Sequence, residues 1–292
     1  MTAFRGALIT DLDGTVVRGC LEHKLGKILL KRGLVKVERF ERVLRLERER
    51  RMRRIPHCML NDAWVEALNT DGLEGVSRAD MENAAREVIE RDGQEIYPFM
   101  RELLAACKAE GYFLGAITGS SQDVAEPFCE QFGFHEVVGS LYPHADGVHI
   151  SGPAHFRAEK KDEVARDMLE RHGLRDSIDF IAVGDTANDY PMLRVANYAI
   201  AFEPNGDLID ILSTSGRVEK MRPYVIVRDS KDAITADAII FDDPGVFQAR
   251  SCVLRDFLPY RIAEDMRCRL GNAFKFREAR FYMKYEEDPD DT

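Results

Sequence analysis

The 292-residue chain carries 51 Asp and Glu against 41 Lys and Arg, a formal net charge of -10, and is 45% apolar and 32% charged. That balance fits a globular protein with a substantial core, in one large domain or two modest ones, and argues against broad attraction to nucleic acid or acidic lipid. No stretch approaches the about 18 consecutive apolar residues of a membrane span, the first residues lack the zones of a signal peptide, and the six cysteines include no CxxC pair. The expectation is a cytoplasmic protein with reduced thiols and neither a zinc site nor a disulfide framework.

The first predicted strand, Ala7-Leu8-Ile9-Thr10, runs into Asp11-Leu12-Asp13-Gly14-Thr15-Val16. Residues i and i+2 of a strand point the same way, so its end can aim both carboxylates at one point. Gly14 allows a sharp turn at once. Unpaired carboxylates are costly in a core. The pair therefore suits either a solvated turn or a crevice with a cation, or with nucleophile-and-acid chemistry.

Residues 18–94 show helical periodicity and almost no β-branched runs. Leu21, Leu25, Ile28 and Leu29 mark a first helix. Val35 to Arg54 reads as a charged helix with Glu-to-Arg pairs at i,i+4 (Glu38–Arg42, Glu41–Arg45, Glu47–Arg51, Glu49–Arg53). Each pair adds about 0.3 kcal/mol on an exposed helix. The arginines at 50–54 are a solvated face or a contact for an anion, and the pairing favours the former. Pro56 ends this helix. Leu60, Trp64, Val65 and Leu68 mark a third, closed at Asp71-Gly72. Ser77 with Asp80 resembles a capping box before a fourth apolar face, Met81, Ala84, Ala85, Val88 and Ile89.

From Tyr97 the rhythm alternates. Pro98 opens a helix with Phe99, Leu103, Leu104 and Cys107 on its buried face. Tyr112 to Thr118 is a strand, and Gly119 leads through Ser120, Ser121 and Asp123 into a helix. Val137 to Leu141 and Val148 to Ile150, around Ala145-Asp146-Gly147, predict a hairpin. Then follow helix Lys161 to Arg171, strand Asp179 to Gly184, helix Asp189 to Val195, and strands Tyr198 to Phe202 and Tyr224 to Val227. This series predicts an α/β, Rossmann-like, mostly parallel sheet with helices on both faces. The predicted core is 1–17 with 95–232, and 18–94 is an inserted all-helical unit.

Residues 233–292 read as a C-terminal extension with Pro244-Gly245, Pro259 and helical spacing at Val253, Phe257 and Leu258. Phe274 to Tyr285 interleaves aromatic and basic residues. That stretch packs on the core with its charges in water, or binds a partner or single-stranded nucleic acid. The acidic run Glu286 to Asp291 favours packing and is itself expected to be disordered.

The chemistry candidates share one position, the carboxyl ends of strands, where open α/β sheets bind ligands. They are Asp11 and Asp13, then Thr118-Gly119-Ser120, then Gly184-Asp185-Thr186-Ala187-Asn188-Asp189. Converging Asp residues attract Mg²⁺, a hard ion commonly shared between carboxylates and phosphate. A hydroxyl and backbone N–H groups at a helix start would cradle an anion. Lys160-Lys161 offers the balancing cation.

Together these stretches resemble the haloacid dehalogenase-like superfamily of phosphohydrolases over roughly residues 5–230, and the helical insert resembles the cap of its phosphoserine phosphatase-like branch. The resemblance implies a Mg²⁺-dependent phosphatase. Asp11 would attack phosphorus to give an aspartyl-phosphate, and Asp13 would protonate the leaving oxygen and then activate water. Thr118 and the Gly119 N–H would hold phosphate oxygens. Mg²⁺ would sit on Asp11, the Asp13 carbonyl and Asp185, steadied by Asp189. Lys161 would neutralise developing charge. Lys161-Asp162-Glu163-Val164 fits the family pattern better than the runner-up Lys160. At the family's substrate-binding Glu this chain has Cys20, and Glu22 takes that place only in a shifted helix register. The expected substrate is thus a small phosphorylated metabolite, a sugar phosphate or another anionic phosphomonoester, rather than phosphoserine in particular. Transfer to an acceptor other than water, a regulatory protein binding through 233–292, and oligomerisation stay open.

Overall fold

The computed structural model describes residues 4–51, 63–64, 66–68, 72–92, 95–152, 155, 160–175, 179–218, 224–230, 233–240 and 257–281. Its strands are β1 (Ala7–Thr10), β2 (Phe113–Ser121), β3 (Glu136–Ser140), β4 (His144–Ala145), β5 (Val148–His149), β6 (Phe180–Gly184), β7 (Tyr198–Phe202), β8 (Tyr224–Asp229), β9 (Ile234–Ile240) and β10 (Phe274–Phe281). Eight of them form one sheet in the order β10-β9-β8-β7-β6-β1-β2-β3. All its pairs are parallel except β8 with β9. β1 lies between β2 and β6, with Thr10 opposite Ala116 on one side and Val183 on the other. Chain order reverses direction across the sheet at β1, and such a switch point opens a crevice at the carboxyl ends of the strands.

Alternation sorts the strand residues onto two faces. Leu8, Leu114, Ala116, Ile181 and Val183 face one apolar layer, and Ala7, Ile9, Phe113, Ile117 and Ala182 face the other. Helices α1 (Leu21–Lys31), α2 (Glu41–Arg51) and α3 (Arg78–Asp92) build the segment between β1 and α4 (Pro98–Ala109). α5 (Gln122–Phe132), α6 (Lys161–Arg171), α7 (Tyr190–Val195), α8 (Gly206–Val218) and α9 (Tyr260–Leu270) follow among the described residues. Buried residues of α1, α3, α4, α5 and α9 fill the first layer, and those of α6, α7 and α8 the second. The helical segment thus shares one apolar core with the sheet, through Leu21, Leu25, Ile28, Leu29 and Val88. Its two crossings to the sheet pair with each other: the Arg18 N–H donates to the Glu95 carbonyl (2.9 Å) and the Tyr97 N–H to the Val16 carbonyl (3.1 Å). Among the described residues no helix is long and apolar enough to cross a membrane.

Three expectations change. The strand ending at Thr118 runs on to Ser121, with Thr118-Gly119-Ser120 bulged out of register with β3 between the pairs Ile117–Val138 and Ser121–Ser140 before α5 begins. Val137 to Leu141 is not one arm of a hairpin. Glu136–Ser140 pairs with β2, which offers an apolar neighbour, and the hairpin is instead β4–β5. Its turn is Asp146-Gly147, both at positive φ (50° and 77°), the backbone that tight hairpins need. That hairpin grips the helical segment, with the Arg78 N–H on the Gly147 carbonyl at 2.8 Å. The residues after 233 supply β9 and β10 to the main sheet and α9 against α4, where Arg269 meets Glu102 at 3.5 Å. Alternation of Phe274-Lys275-Phe276-Arg277 is a strand's period of two. On the charged helix, Lys27 of α1 pairs with Glu47 of α2 at 2.8 Å and Arg42 with Glu66, surface ion pairs in keeping with a solvated face. Met52 to Arg54, Pro56, Leu60, Val65, Asp71, Pro244-Gly245, Val253 and all residues from Tyr282, the acidic run included, lie outside the described residues.

Candidate active site

The site grows from the end of β1. Asp11 stays on the ladder, its N–H bonded to the Val183 carbonyl at 3.0 Å. The chain then turns at Gly14, whose φ is +85°. Gly14 is needed twice: for that backbone and because a Cβ there would overlap Asp185 Oδ2. Next to it, the Thr15 hydroxyl donates to Asp185 Oδ1 at 3.2 Å.

The end of β6 forms a tight turn closed by Asp189. Its Oδ2 accepts the N–H groups of Asp185 (3.0 Å) and Thr186 (2.9 Å) and the Thr186 hydroxyl (3.0 Å). Gly184 leaves room for this carboxylate, since a Cβ there would overlap Asp189. With Oδ2 so engaged, Asp189 Oδ1 is left for Lys161.

Lys161 is the first residue of α6. Its Nζ stands 2.6 Å from both Asp11 Oδ1 and Asp189 Oδ1. The three residues are buried, Lys161 at 4%, Asp11 at 6% and Asp189 at 0% exposure. Lys160 points away and pairs with Glu163 at 3.0 Å on the surface. The structure brings Lys161, not Lys160, to the strand ends.

Electrostatics mark the cluster as short of positive charge. Burial pushes the Asp11 carboxyl above its usual range. Lys161 opposes that shift, while Asp189 and Asp13 add to it. Burial, then Asp11 and Asp189, raise Asp185 as well. For Lys161, burial works against the charged form, but Asp11 and Asp189 override it and hold the ammonium above its ordinary value. Oxygens of Asp11, Asp185 and Asp189 lie within 4.8 Å of one another. Three carboxylates against one ammonium, all oxygen donors, fit a hard divalent cation.

Asp13 faces the other way. Its Oδ2 accepts the hydroxyls of Thr118 (2.8 Å) and Ser120 (2.7 Å), and its Oδ1 accepts the Leu21 N–H (2.6 Å). Thr118 Oγ1 in turn accepts the Ser120 N–H at 3.0 Å. Gly119 is exposed, with open space where a Cβ would stand. Asp11, Asp13, Thr118, Gly119, Lys161, Asp185 and Asp189 are thus gathered at one end of the sheet.

Thr15 joins the site without an expected role, Ser120 is expected there only as part of the Thr118-Gly119-Ser120 stretch with no role of its own, and Glu22 only under a shifted helix register. Ser120 reaches Asp13 because it lies two residues beyond Thr118 on the same strand side. Glu22 sits in the first turn of α1, buried, with Oε2 accepting the Ser121 N–H at 2.7 Å. Burial lifts its carboxyl to about 7. Cys20 precedes the helix, and its sulfur lies 4.0 Å from Ser120 Oγ.

A family described as haloacid dehalogenase-like hydrolase matches residues 8–194. Histidinol-phosphatase of Neisseria meningitidis serogroup C (strain 8013) is 24% identical over 207 residues, covering 68% of this chain and 91% of that protein. Phosphoserine phosphatase SerB2 of Mycobacterium tuberculosis (strain ATCC 25618 / H37Rv) is 27% identical over 124 residues, 41% of this chain but 30% of that longer protein. A solved protein of unknown function from Bordetella pertussis Tohama I shares the fold, with a TM-score of 0.57 at 19% identity over 73% of this chain and 97% of its own.

Proposed function

The chain belongs to the haloacid dehalogenase-like hydrolase family, as a phosphoric monoester hydrolase of its phosphoserine phosphatase-like branch, and on that premise we propose that it is a Mg²⁺-dependent phosphatase acting on a small phosphomonoester through an aspartyl-phosphate. The observation that carries this reading is the division of labour between two carboxylates two residues apart. Asp11 lies against Lys161 in the acidic cluster, and Asp13 lies against two hydroxyls and a helix N–H.

Asp11 is the nucleophile. Its carboxylate oxygen bonds to phosphorus as the bond to the leaving oxygen breaks, and Asp13 delivers a proton to that oxygen. Asp13, now ionised, takes a proton from the water that attacks the acyl-phosphate, releasing inorganic phosphate and restoring Asp11. Lys161 favours the ionised form of Asp11 against the effect of burial and offsets negative charge gathering on the phosphoryl oxygens. Thr118 and the Gly119 N–H bind those oxygens, the Thr118 hydroxyl turning from Asp13 to do so. Asp11, the Asp13 backbone carbonyl and Asp185, steadied by Asp189, would hold Mg²⁺, which supplies charge neutralisation and orientation of the phosphate. The helical segment acts as the cap over this end of the sheet. The two curated relatives are named for histidinol phosphate and phosphoserine, and we assign this chain a substrate of the same size class.

The test is a panel of phosphorylated metabolites and one aryl phosphate, each with and without Mg²⁺, for wild type and Asp11→Asn. Mg²⁺-dependent phosphate release that vanishes in the variant is expected. Full activity in Asp11→Asn would remove the nucleophile assignment.

A further inference from the structure

The first turn of an α-helix leaves backbone N–H groups without partners inside the helix. At α1 the residue before the helix, Cys20, makes no capping hydrogen bond with its side chain. The sheet supplies the caps instead. The Leu21 N–H goes to Asp13 Oδ1 at 2.6 Å, and the Glu22 N–H goes to Ser120 Oγ at 3.1 Å. The Ser120 hydroxyl in turn donates a hydrogen bond to Asp13 Oδ2 at 2.7 Å. Ser120 is 2% exposed, so water does not compete for these bonds.

We infer that Ser120 is a positioning residue that ties the orientation of Asp13 to the docking of α1. A hydroxyl has one proton to give. With the Glu22 N–H occupying a lone pair, the Ser120 proton is directed to Asp13. When α1 withdraws, that lone pair is freed and the Leu21 N–H leaves Oδ1. The carboxylate then loses the Leu21 bond, the contact of its three that α1 makes, and the Ser120 hydroxyl is no longer held in one orientation by the Glu22 N–H. Its third partner, Thr118, is the group that turns to the phosphate. Asp13 is therefore held for proton transfer only while the first helix of the insert is seated. The coupling confines leaving-group protonation to the covered site.

This inference rests on the phosphatase reading, and its test separates the two. The kcat/KM reports phosphoryl transfer to Asp11, the step in which Asp13 gives its proton. A poor leaving group needs that proton more than a good one does. In the full chain with Mg²⁺, Ser120→Ala is expected to lower kcat/KM for phenyl phosphate about tenfold more than for 4-nitrophenyl phosphate. Amide hydrogen exchange at Glu22 should accelerate in the same variant. A merely structural role would lower both esters alike, and equal losses, or no loss, overturn the inference alone. Unchanged exchange at Glu22 overturns the coupling to α1. Wild-type protein inert towards both esters overturns the phosphatase reading and the inference with it.

Discussion

The Lys161 ammonium lies 2.6 Å from Asp11 Oδ1, both side chains almost wholly buried. The same nitrogen is equally close to Asp189, so one charge serves two carboxylates. Breaking a buried pair costs more than the pair itself contributes, because the charge left behind is unsolvated. Lys161→Ala should therefore lower unfolding stability by about 3 kcal/mol and abolish phosphate release. Lys160→Ala, on an exposed i,i+3 pair, should change stability by about 0.5 kcal/mol or less and leave turnover intact. Urea unfolding and steady-state rates on both variants check this, and equal effects would contradict the assignment of Lys161.

The excess of carboxylates at the strand ends predicts linkage to a divalent cation. Binding to the folded state at a hundredfold excess over Kd stabilises by about 2.7 kcal/mol. Mg²⁺ should raise the melting temperature of the wild type, chelation should reverse it, and Asp185→Asn should erase the shift. A variant that keeps the full shift would place the cation elsewhere.

Glu22 sets a pH dependence. Burial raises its carboxyl from a usual 4.5 to about 7. Between those values the folded protein keeps a proton that the unfolded chain has released, so stability falls as pH rises through that window. The decline is on the order of 2–3 kcal/mol. Glu22→Gln does not titrate and should lack it, gaining on the wild type at pH 8 relative to pH 5. Urea midpoints at the two pH values, with Mg²⁺ present throughout, measure the difference. Parallel behaviour of the two proteins would show that Glu22 is ionised in the fold.

Two glycines near the site should behave oppositely. A Cβ on Gly184 overlaps Asp189, while one on Gly119 meets open space. Gly184→Ala should displace Asp189, destabilise by about 1–3 kcal/mol as overpacked sites do, and lose Mg²⁺-dependent activity. Gly119→Ala should melt like the wild type. Comparable melting losses in the two would refute the packing argument.

Local pattern reached far in this chain where one element's own period decides its structure. Ala7–Thr10, Lys161–Arg171 and Tyr198–Phe202 fall where their apolar spacing places them. The parallel sheet with helices on both faces follows from their alternation. Pattern stopped where pairing partners decide. Val137 to Leu141 carries no sign of whether it turns back on Val148 or lies beside β2, because both choices bury the same valines. The aromatic-basic run from Phe274 likewise does not state that β9 is waiting to receive it.

The same divide runs through the site. Residue order alone determined that Asp11, Asp13, Thr118, Lys161, Asp185 and Asp189 all sit where a strand or turn hands over to a helix, because side-chain period and Gly-bounded turns are properties of short segments. Tertiary structure decided which of two adjacent lysines reaches Asp11, and that Ser120 holds both Asp13 and the start of α1. Those outcomes depend on contacts between segments 98 to 150 residues apart in sequence, and no local period carries information across such a gap.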